Sequence, residues 1–177
     1  MSELPTQSVP VDDQLVADLA PAQLRHLFGA FPSGVTALAA LVDGQPVGLA
    51  ASSFTSVSLD PPLVSVCVAH TSTTWPHLGT AAHLGLSVLS DDQSDFCRQL
   101  AAKTGDRFAG VPWCATSTGA VLLGEASAWL DCTVEQLIEA GDHDIVLLRV
   151  HTHRVHPDPD RAPLVFHASQ FRRLRCL

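Results

Sequence analysis

The sequence predicts a mainly β domain that folds as an antiparallel barrel with short flanking helices. Apolar segments with β-branched residues recur between turn signals, enough for about six to eight strands. The segments that predict helices are short, and they do not alternate with strands as a doubly wound parallel sheet requires. Hydrophobic residues make up 46% of the 177 residues and charged residues 16%, which favours a folded core over a disordered chain.

The chain opens with an arm, a short helix and a hairpin. We expect residues 1–19 to form a loose N-terminal arm and residues 20–177 to form one domain. Pro21 favours the start of a helix in PAQLRHLFGAF. The predicted apolar face of this helix consists of Leu24, Leu27, Phe28 and Phe31. Asp43 and Gly44 then separate two apolar runs, and this dipeptide predicts the tight turn of a β-hairpin.

Two further short helices separate the strands of the middle of the chain. LVSVCVA and HLGLSVLS are predicted strands, and between them STTWPHLG predicts a short helix capped by Ser72 or Thr73. DDQSDFCRQLAAK predicts an amphipathic helix with Asp91 or Asp92 at its N-terminus, where acidic groups suit the helix dipole.

The last third of the chain is predicted to complete the barrel. Residues 105–118 are typical of a loop. The segment GAVLLGEASAWLDCTVEQLIEAG predicts one long strand or two, and residues 143–155 predict another. PLVFHA is expected to close the sheet.

Charge and hydropathy exclude several classes of partner. Ten Lys and Arg against 18 Asp and Glu give a net charge of -8, which disfavours binding to nucleic acid. Arg172, Arg173 and Arg175 form a small basic cluster, which we interpret as a solvated end or as interface ion pairs. No apolar run approaches the roughly 18 residues of a membrane-spanning helix, so no membrane partner is expected.

The cysteines and the first residues predict a cytoplasmic protein. MSELPTQSVPVDDQLVADL carries acids and prolines and lacks the pattern of a signal peptide. The five cysteines include no CxxC pair, and reduced thiols are their simplest interpretation.

A run of small and hydroxyl side chains is the first candidate for binding a ligand. Ser52 to Ser58 (SSFTSVS) follow Ala50 and Ala51, and hydroxyls beside exposed backbone can form several hydrogen bonds to a polar ring. The alternative is that hydroxyls at every second position simply face water on a strand. Spacing alone favours this alternative.

Two more polar segments are candidates. Hydroxyls and free backbone N–H groups of Ser72 to Trp75, at a predicted helix start, suit a phosphate, although ordinary helix capping explains the same residues. Gly141 to Asp144 precede a strand, and His143 between two acids can donate a hydrogen bond to a ligand. A solvated histidine in a turn is the alternative.

No motif indicates a metal site or a nucleophilic enzyme. His151 and His153 share one strand face and His156 follows, but no carboxylate or cysteine at suitable spacing completes a zinc site, so no metal is expected. GxSxG, Walker and GxGxxG motifs are absent, which disfavours a Rossmann domain. The residues alone therefore predict a β-rich domain with a site for an anionic ligand.

Taken in order, several segments resemble the short-chain flavin reductase family, the reductase partners of two-component flavin monooxygenases. Together they span about residues 24–174. The matching stretches are FPSGV (31–35), GLAASSFTSVSLDPPLVSVCV (48–68), STTW (72–75), LSVLSDDQ (86–93), RFAGV (107–111), GDHDIVLLRV (141–150) and PLVFHASQFRRL (163–174). The long GLAASSFTSVSLDPPLV stretch and GDH are each specific, and their order strengthens the match.

The resemblance implies an FMN-binding split barrel that holds FMN or FAD at a homodimer interface. By position, the residues expected to border the isoalloxazine ring are Pro32, Ser33, Ala50, Ala51, Ser52 and Ser53. Those expected near the ribityl chain and phosphate are Ser56, Val57, Ser72, Thr73 and Thr74. The resemblance also implies that Phe108 lies against the flavin with Arg107 nearby.

The nicotinamide nucleotide is expected to meet the GDH segment. In the resemblance, Gly141 and Asp142 precede His143, which touches the nucleotide and is the candidate catalytic residue, and Phe171 lies near the nicotinamide. Three positions depart from the family: Ala50 replaces a common threonine, Ser87 a common asparagine and Phe171 a common tyrosine. Each departure removes a possible polar contact.

The resemblance thus implies an NAD(P)H:flavin oxidoreductase in the cytoplasm. NADH or NADPH would reduce FMN or FAD, and the reduced flavin would serve a separate monooxygenase. Ala50 and Ser87 leave open a non-enzymatic flavin-binding or electron-carrier protein on the same barrel. A split-barrel oxidase of another substrate, such as pyridoxamine phosphate, is disfavoured because such a site needs several basic phosphate ligands.

Overall fold

The computed structural model describes residue 15 and residues 17–174, which form three short helices and twelve strands. The helices are α1 (Pro21–Phe28), α2 (Trp75–Leu78) and α3 (Ser94–Leu100). The strands are β1 (Ser33–Gly34), β2 (Thr36–Val42), β3 (Gln45–Ala51), β4 (Thr55–Leu59), β5 (Pro62–Ala69), β6 (Leu84–Val88), β7 (Trp113–Ala115), β8 (Val121–Leu123), β9 (Ala128–Ala140), β10 (His143–Val155), β11 (Val165–His167) and β12 (Gln170–Arg172).

A seven-stranded antiparallel sheet dominates the fold. Its strand order is β3-β2-β6-β9-β10-β5-β4. The two edge strands, β3 and β4, are consecutive along the chain and are joined by residues 52–54 alone. So short a connection requires the sheet to curl until its edges approach each other. The predicted mainly β, antiparallel architecture with short helices is therefore confirmed.

The hydroxyl of Ser53, in the connection between β3 and β4, bonds to the backbone of β5. It accepts a hydrogen bond from the Cys67 backbone N–H at 2.8 Å and donates one to the Cys67 carbonyl at 3.2 Å. Because Cys67 lies on β5, these two bonds hold the β3–β4 connection against the strand next to the far edge. We call the gap between the β3 and β4 edges the split.

Two hairpins set the register of the sheet. Asp43 and Gly44 join β2 to β3 with φ angles of 51° and 75°, the left-handed pair of a type I′ turn, so the predicted hairpin is confirmed. Gly141 (φ 68°) and Asp142 join the 13-residue strands β9 and β10, and they place His143 at the first position of β10.

Two apolar clusters form the core. One fills the curled sheet and contains Leu38, Val66, Leu84, Leu86, Val146 and Leu148, all fully buried. The other joins the sheet to α3, β8 and the loop before β7, and it contains Val35, Leu89, Leu100, Phe108, Val121 and Leu123. A Cβ on Gly85 of β6 would stand 2.0 Å from the Val121 carbonyl oxygen, so β8 packs against β6 at a distance that only glycine permits.

Several element boundaries differ from the sequence prediction. The predicted apolar face of α1 is not buried: Leu27 is 63% exposed, Phe28 67% and Phe31 77%. The predicted loop 105–118 contains the short strand β7. The long segment before Gly141, predicted as one strand or two, forms the two strands β8 and β9.

The predicted helix caps are also shifted. The residue before α2 is Thr74, which makes no side-chain cap, although the Ser72 hydroxyl accepts a hydrogen bond from the Trp75 N–H at 3.1 Å. The residue before α3 is Gln93, and neither Asp91 nor Asp92 caps that helix. Asp91 pairs with Arg173 at 3.1 Å instead.

The chain termini lie largely outside the described residues. The predicted arm, residues 1–19, is described at only a few positions and stays a prediction, as does the division into arm and domain. Arg175 of the basic cluster and the fifth cysteine, Cys176, also fall outside. None of the described helices is long and apolar enough to cross a membrane.

Candidate functional site

Four adjoining cavities lie along β3. The central cavity, of about 350 Å³, is lined by Leu49, Ala50, Ala51, Ser52, Ser53, Cys67, Val68, Ala69, Ser72 and His143. The polar cavity, of about 480 Å³, is lined by Leu49, Ala50, Thr71, Ser72, Thr73, Thr74, Leu100, Ala101, Lys103 and Arg107. These two share Leu49, Ala50 and Ser72, so they form one groove.

The other two cavities extend this groove. The aromatic cavity, of about 240 Å³, is lined by Val35, Ala50, Ala51, Ser52, Cys97, Arg98, Ala101, Phe166 and Phe171. The outer cavity, of about 420 Å³, is lined by Pro46, Val47, Gly48, Thr73, Thr74, His77, Lys103, Thr104, Gly105, Asp106, Arg107 and Phe108. The end of β3 is thus the wall that three of the cavities have in common.

The end of β3 suits a flat ligand for reasons set by its place in the sheet. An edge strand leaves one row of backbone N–H and C=O groups without a strand partner. Ala50 and Ala51 place only methyl groups there, and Ser52 and Ser53 add hydroxyls. Small side chains beside free backbone groups let a planar polar ring approach closely and form hydrogen bonds.

Arg107 anchors the polar end of the groove. Its guanidinium donates to the Thr74 hydroxyl and, at 3.4 Å, to the Gly48 carbonyl of β3. These bonds tie the loop before β7 to β3 and to the segment that precedes α2. Lys103 lines the same two cavities as Arg107. Within the described residues, neither cation lies within 4 Å of a carboxylate, so both are available to a ligand anion.

The predicted phosphate segment, Ser72 to Thr74, lines the polar cavity in full. Helix α2 is a single turn, and the Ser72 hydroxyl already receives the Trp75 N–H. The chemistry suited to a phosphate therefore comes chiefly from the Thr73 hydroxyl and from the two cations across the cavity.

His143 projects into the central cavity from the start of β10. Its Nδ1 lies 2.7 Å from Oδ1 of Asp142, and this hydrogen bond holds the pKa of the Asp142 carboxyl below its usual value. With Nδ1–H donated to a carboxylate, Nε2 is the nitrogen left to meet a ligand. Beside it, His70 Nε2 lies 3.0 Å from Oδ1 of Asp144.

Two phenylalanines and an arginine close the aromatic cavity. The rings of Phe166 and Phe171 meet edge to face with centroids 5.5 Å apart. The guanidinium carbon of Arg98 lies 4.9 Å from the Phe171 ring centroid, and Arg98 also contacts Asp95 at 2.6 Å. Burial raises the pKa of the Cys97 thiol in the same wall, which keeps that thiol neutral.

Some predicted site residues lie beside the cavities rather than in their walls. Pro32 is exposed, and Ser33 pairs with Phe166 across β1 and β11. Ser56 and Val57 are exposed on β4 and line none of the four cavities. Gly141 is exposed at the hairpin tip.

Two positions that the resemblance singled out, Phe108 and Ser87, pack in the core. Phe108 is only 7% exposed and packs in the second core cluster, with its ring edge at the outer cavity. Ser87 is fully buried, and its hydroxyl accepts the Leu123 N–H at 3.0 Å. The serine at this position therefore satisfies the backbone of β8 and does not border the groove.

Sequence reasoning missed many lining residues, among them Cys67, Cys97, Arg98, Lys103 and Phe166. One feature of the sequence could have indicated Lys103 as a candidate: it is the sole lysine of an acidic chain. The others reach the groove through non-local strand and helix packing. Among the described residues, no group of three or more His, Cys, Asp or Glu side chains could hold a metal ion.

The geometry joins a flat apolar site, a cationic end and an imidazole. A ring stacked on β3 with an anionic tail toward Arg107 would fit it, and the donor set agrees with a flavin phosphate. No side chain in the groove has a base placed to activate it as a nucleophile. The arrangement favours holding two ligands over supplying covalent catalysis.

Comparison with known proteins agrees with this geometry. Residues 28–175 match the family described as Flavin reductase like domain. The chain is 44% identical over 131 residues to the stachydrine N-demethylase reductase subunit Stc3 of Rhizobium meliloti, covering 73% of this chain and 57% of that protein. It is 32% identical over 151 residues to HsaB, the reductase subunit of a flavin-dependent monooxygenase of Rhodococcus jostii. That match covers 85% of this chain and 76% of HsaB.

Solved structures share the fold. The Streptomyces globisporus NADH:FAD oxidoreductase SgcE6, solved with NAD and FAD fragments, superposes with a TM-score of 0.81 at 36% identity, covering 96% of this chain and 98% of that one. Nitrilotriacetate monooxygenase component B of Mycobacterium thermoresistibile superposes with a TM-score of 0.84 at 30% identity. The superposition covers 87% of this chain and 86% of that one. The split barrel predicted from the sequence is therefore confirmed.

The chain matches only part of the length of some relatives. The chain spans about half the length of the first curated relatives it matches, with coverage of 57%, 42% and 42% of those proteins. A cytoplasmic location remains a prediction of the sequence. The family match, however, runs from the end of α1 to the last described residues, and the sequence resemblance is thereby confirmed. This chain belongs to the family of flavin reductase like domains.

Proposed function

We propose that this protein is an NAD(P)H-dependent flavin reductase, which transfers a hydride from NADH or NADPH to FMN or FAD. One observation carries the proposal. The wall formed by Ala50 and Ala51, at the end of β3, and by Ser52 after it lines both the cavity of His143 and the cavity of Phe171, and Ala50 also lines the cavity of Arg107. Two ligands that must meet face to face can do so over this wall. The SgcE6 relative, which was solved with NAD and FAD fragments, supports the same pairing.

In this proposal, the flavin follows the groove from the central to the polar cavity. Ala50, Ala51, Ser52 and Ser53 border its ring, with Pro32 and Ser33 beside them. The hydroxyls of Thr73 and Thr74 and the guanidinium of Arg107 meet its phosphate. The replacement of threonine by Ala50 leaves backbone groups, rather than a side chain, to form the ring contacts there.

In this proposal, the nicotinamide nucleotide meets His143 in the central cavity and Phe171 in the aromatic cavity, which share Ala50, Ala51 and Ser52. His143 Nε2 would hold the nucleotide, since Nδ1 is already bonded to Asp142. Phe171 offers an aromatic face without a hydroxyl, so it would position the nicotinamide by packing alone.

The protein's share of the reaction is positioning. A bound flavin would supply the hydride acceptor, and the chain would supply the groove that orients the two ligands. The alternative of a non-enzymatic electron carrier rested on Ala50 and Ser87. Ser87 lies in the core and cannot weaken access to the groove, which leaves that alternative with Ala50 alone.

We further propose a homodimer that delivers reduced flavin to a separate monooxygenase. Several large apolar side chains are exposed on the single chain: Leu27, Phe28, Phe31, Leu59, Leu137 and Ile138. So much exposed apolar surface indicates a covering partner. HsaB, the reductase subunit of a flavin-dependent monooxygenase, supports the monooxygenase partner, and Stc3, the reductase subunit of a demethylase, supports a separate partner subunit. Light scattering coupled to gel filtration tests the dimer, and a monomeric mass at micromolar concentration would reject it.

The function is tested by following NADH or NADPH oxidation with and without added FMN or FAD. We expect turnover that requires flavin. Tight, stoichiometric flavin without turnover by either nucleotide would instead identify a flavin carrier. Oxidation of an amine substrate without any nicotinamide nucleotide would identify an oxidase.

A further inference from the structure

Arg98 lines the aromatic cavity and has no role in the function proposed so far. It lies in the last turn of α3. Its guanidinium carbon is 4.9 Å from the centroid of the Phe171 ring, within the range of a cation–π contact. Its Nη1 donates a hydrogen bond to Oδ1 of Asp95 at 2.6 Å, which ties the guanidinium to a carboxylate of the same helix. Arg98 therefore joins α3 to an aromatic ring that borders the cavity.

The hairpin that carries Phe171 has little structure of its own to hold the ring. Its strands β11 and β12 are three residues each, and β12 is an edge strand of a small sheet separate from the seven-stranded sheet. The two turn residues, Ala168 and Ser169, have φ angles of 49° and 60°, in the left-handed region that favours glycine. Because strands this short are marginal alone, contacts with other elements must fix the hairpin.

Two arginine contacts hold this hairpin against α3 and the segment before it. Arg173, just after β12, pairs with Asp91 at 3.1 Å and lies outside the lining of the aromatic cavity. In the other contact, both Arg98 and Phe171 belong to that lining. The side chain of Arg98 is 62% exposed and that of Asp95 90%, so the ion pair between them adds little stability. The contact between Arg98 and the ring therefore bears on the cavity more than on the stability of the fold.

We propose that Arg98 is a positioning residue for the nicotinamide nucleotide, which acts by holding the Phe171 ring at the wall of the aromatic cavity. This inference rests on the proposed function, in which Phe171 packs against the nicotinamide. A planar guanidinium stacks on an aromatic ring, whereas a lysine ammonium is a compact point charge, so this role needs arginine and not merely a positive charge. Direct contact of Arg98 with a ligand phosphate is less favoured, because Nη1 is already bonded to Asp95.

The test measures the Kd of NAD+ for the protein loaded with FMN or FAD, by calorimetry, together with the KM for NADH. Arg98→Met keeps a long side chain without the guanidinium, and Arg98→Lys keeps the charge. Arg154→Met is the matched control, because Arg154 lies over the Trp129 ring at 5.8 Å and lines none of the four cavities. Thermal melts followed by circular dichroism check that each variant folds.

We expect Arg98→Met and Arg98→Lys each to raise the Kd of NAD+ and the KM for NADH about five-fold, the loss of one stacked cation–π contact. Flavin affinity should stay within about two-fold, and Arg154→Met should match the wild type. In a Phe171→Leu background, Arg98→Met should change the Kd of NAD+ by no more than about 1.5-fold, because Arg98 acts through that ring. Arg98→Lys decides between ring contact and charge if Phe171→Leu fails to fold.

Three results would overturn the inference and leave the flavin reductase function standing. In the first, Arg98→Met binds NAD+ as tightly as the wild type. In the second, Arg98→Lys keeps wild-type affinity, or Arg98→Met has its full effect in the Phe171→Leu background, which would show that Arg98 meets the nucleotide directly. In the third, flavin affinity falls instead, which would assign Phe171 to the flavin. Failure of the function itself differs from all three, because NADH and NADPH would then reduce neither flavin in the wild type.

Discussion

The hydrogen bond between His143 and Asp142 decides how this histidine meets a ligand. Asp142 holds Nδ1 at 2.7 Å, so the ring presents Nε2 to the central cavity. The resemblance of the GDH segment predicted a role for His143, and the hairpin that starts at Gly141 explains how that segment reaches the groove. The sequence pattern alone could not separate this arrangement from a solvated turn, since both need the same residues.

At this scale we predict that His143→Ala raises the KM for the nicotinamide nucleotide about ten-fold and leaves flavin affinity within about two-fold. His70→Ala is the matched control, since His70 also contacts an aspartate but lines none of the four cavities. Steady-state kinetics and a flavin titration measure the two effects. Collapse of flavin binding in His143→Ala would show that His143 holds the flavin instead.

The cysteines give a second residue-scale prediction. Cys67 is exposed and lines the central cavity, whereas Cys114 is exposed outside the four cavities. Burial raises the pKa of Cys132 to about 12, and Cys97 is also buried, so neither should react near neutral pH.

In a Cys176→Ser background, a thiol reagent should therefore label Cys67 and Cys114. Added FMN or FAD should slow labelling of Cys67 at least about five-fold and leave Cys114 unaffected, because a bound ring covers only the first. Peptide mass spectrometry over a time course resolves the two sites. Equal rates at Cys67 with and without saturating flavin would exclude the central cavity as the ring site.

At the scale of elements, the site exists because β3 and β4 are the two edges of one curled sheet. The sequence predicted the strands and the Asp43-Gly44 hairpin, since those signals are local. It did not predict that the three-residue connection after β3 would close against Cys67, because strand order depends on contacts distant in sequence. Because β3 is an edge strand, the backbone beside the hydroxyls of Ser52 and Ser53 has one row of groups without a strand partner.

The packing of β8 on β6 is another element-scale feature that the sequence did not reveal. A Cβ at Gly85 would lie 2.0 Å from the Val121 carbonyl oxygen. We predict that Gly85→Ala lowers the free energy of unfolding by about 3 kcal/mol, because backbone must move to admit the methyl group.

Gly34→Ala is the control for this substitution, since its Cβ would meet nothing within 4 Å. It should change stability by no more than about 0.5 kcal/mol. Urea unfolding of both variants measures the difference. Equal stability of the two would mean that β8 does not pack on β6 as closely as described.

At the scale of the whole molecule, the sequence prediction and the structure differ most in which apolar side chains are exposed. The predicted apolar face of α1 is largely exposed in the single chain, with Phe28 at 67% and Phe31 at 77%. Periodicity predicts that such a face is covered, but it cannot tell an internal core from a second copy of the chain. The homodimer that we propose would account for the difference.

The groove also shows that a sequence pattern predicts only part of a surface built from distant segments. Sequence reasoning found Ala50 to Ser53 and Ser72 to Thr74, which line the groove, because each of these motifs is contiguous. Their contacts with a flavin stay a prediction. The same reasoning missed Lys103 and Arg98, which come from a loop and a helix that reach the groove only after the sheet has curled. The complete lining of the groove therefore follows from the topology rather than from any single motif.

The central claim is that a flavin and a nicotinamide nucleotide meet over the end of β3. The most direct measurement is anaerobic stopped-flow mixing of the flavin-loaded protein with NADH or NADPH deuterated at C4, alongside unlabelled nucleotide. The account predicts loss of flavin absorbance in a single turnover, and slower loss with the deuterated nucleotide. Bound flavin that keeps its oxidised absorbance with both nucleotides would contradict it.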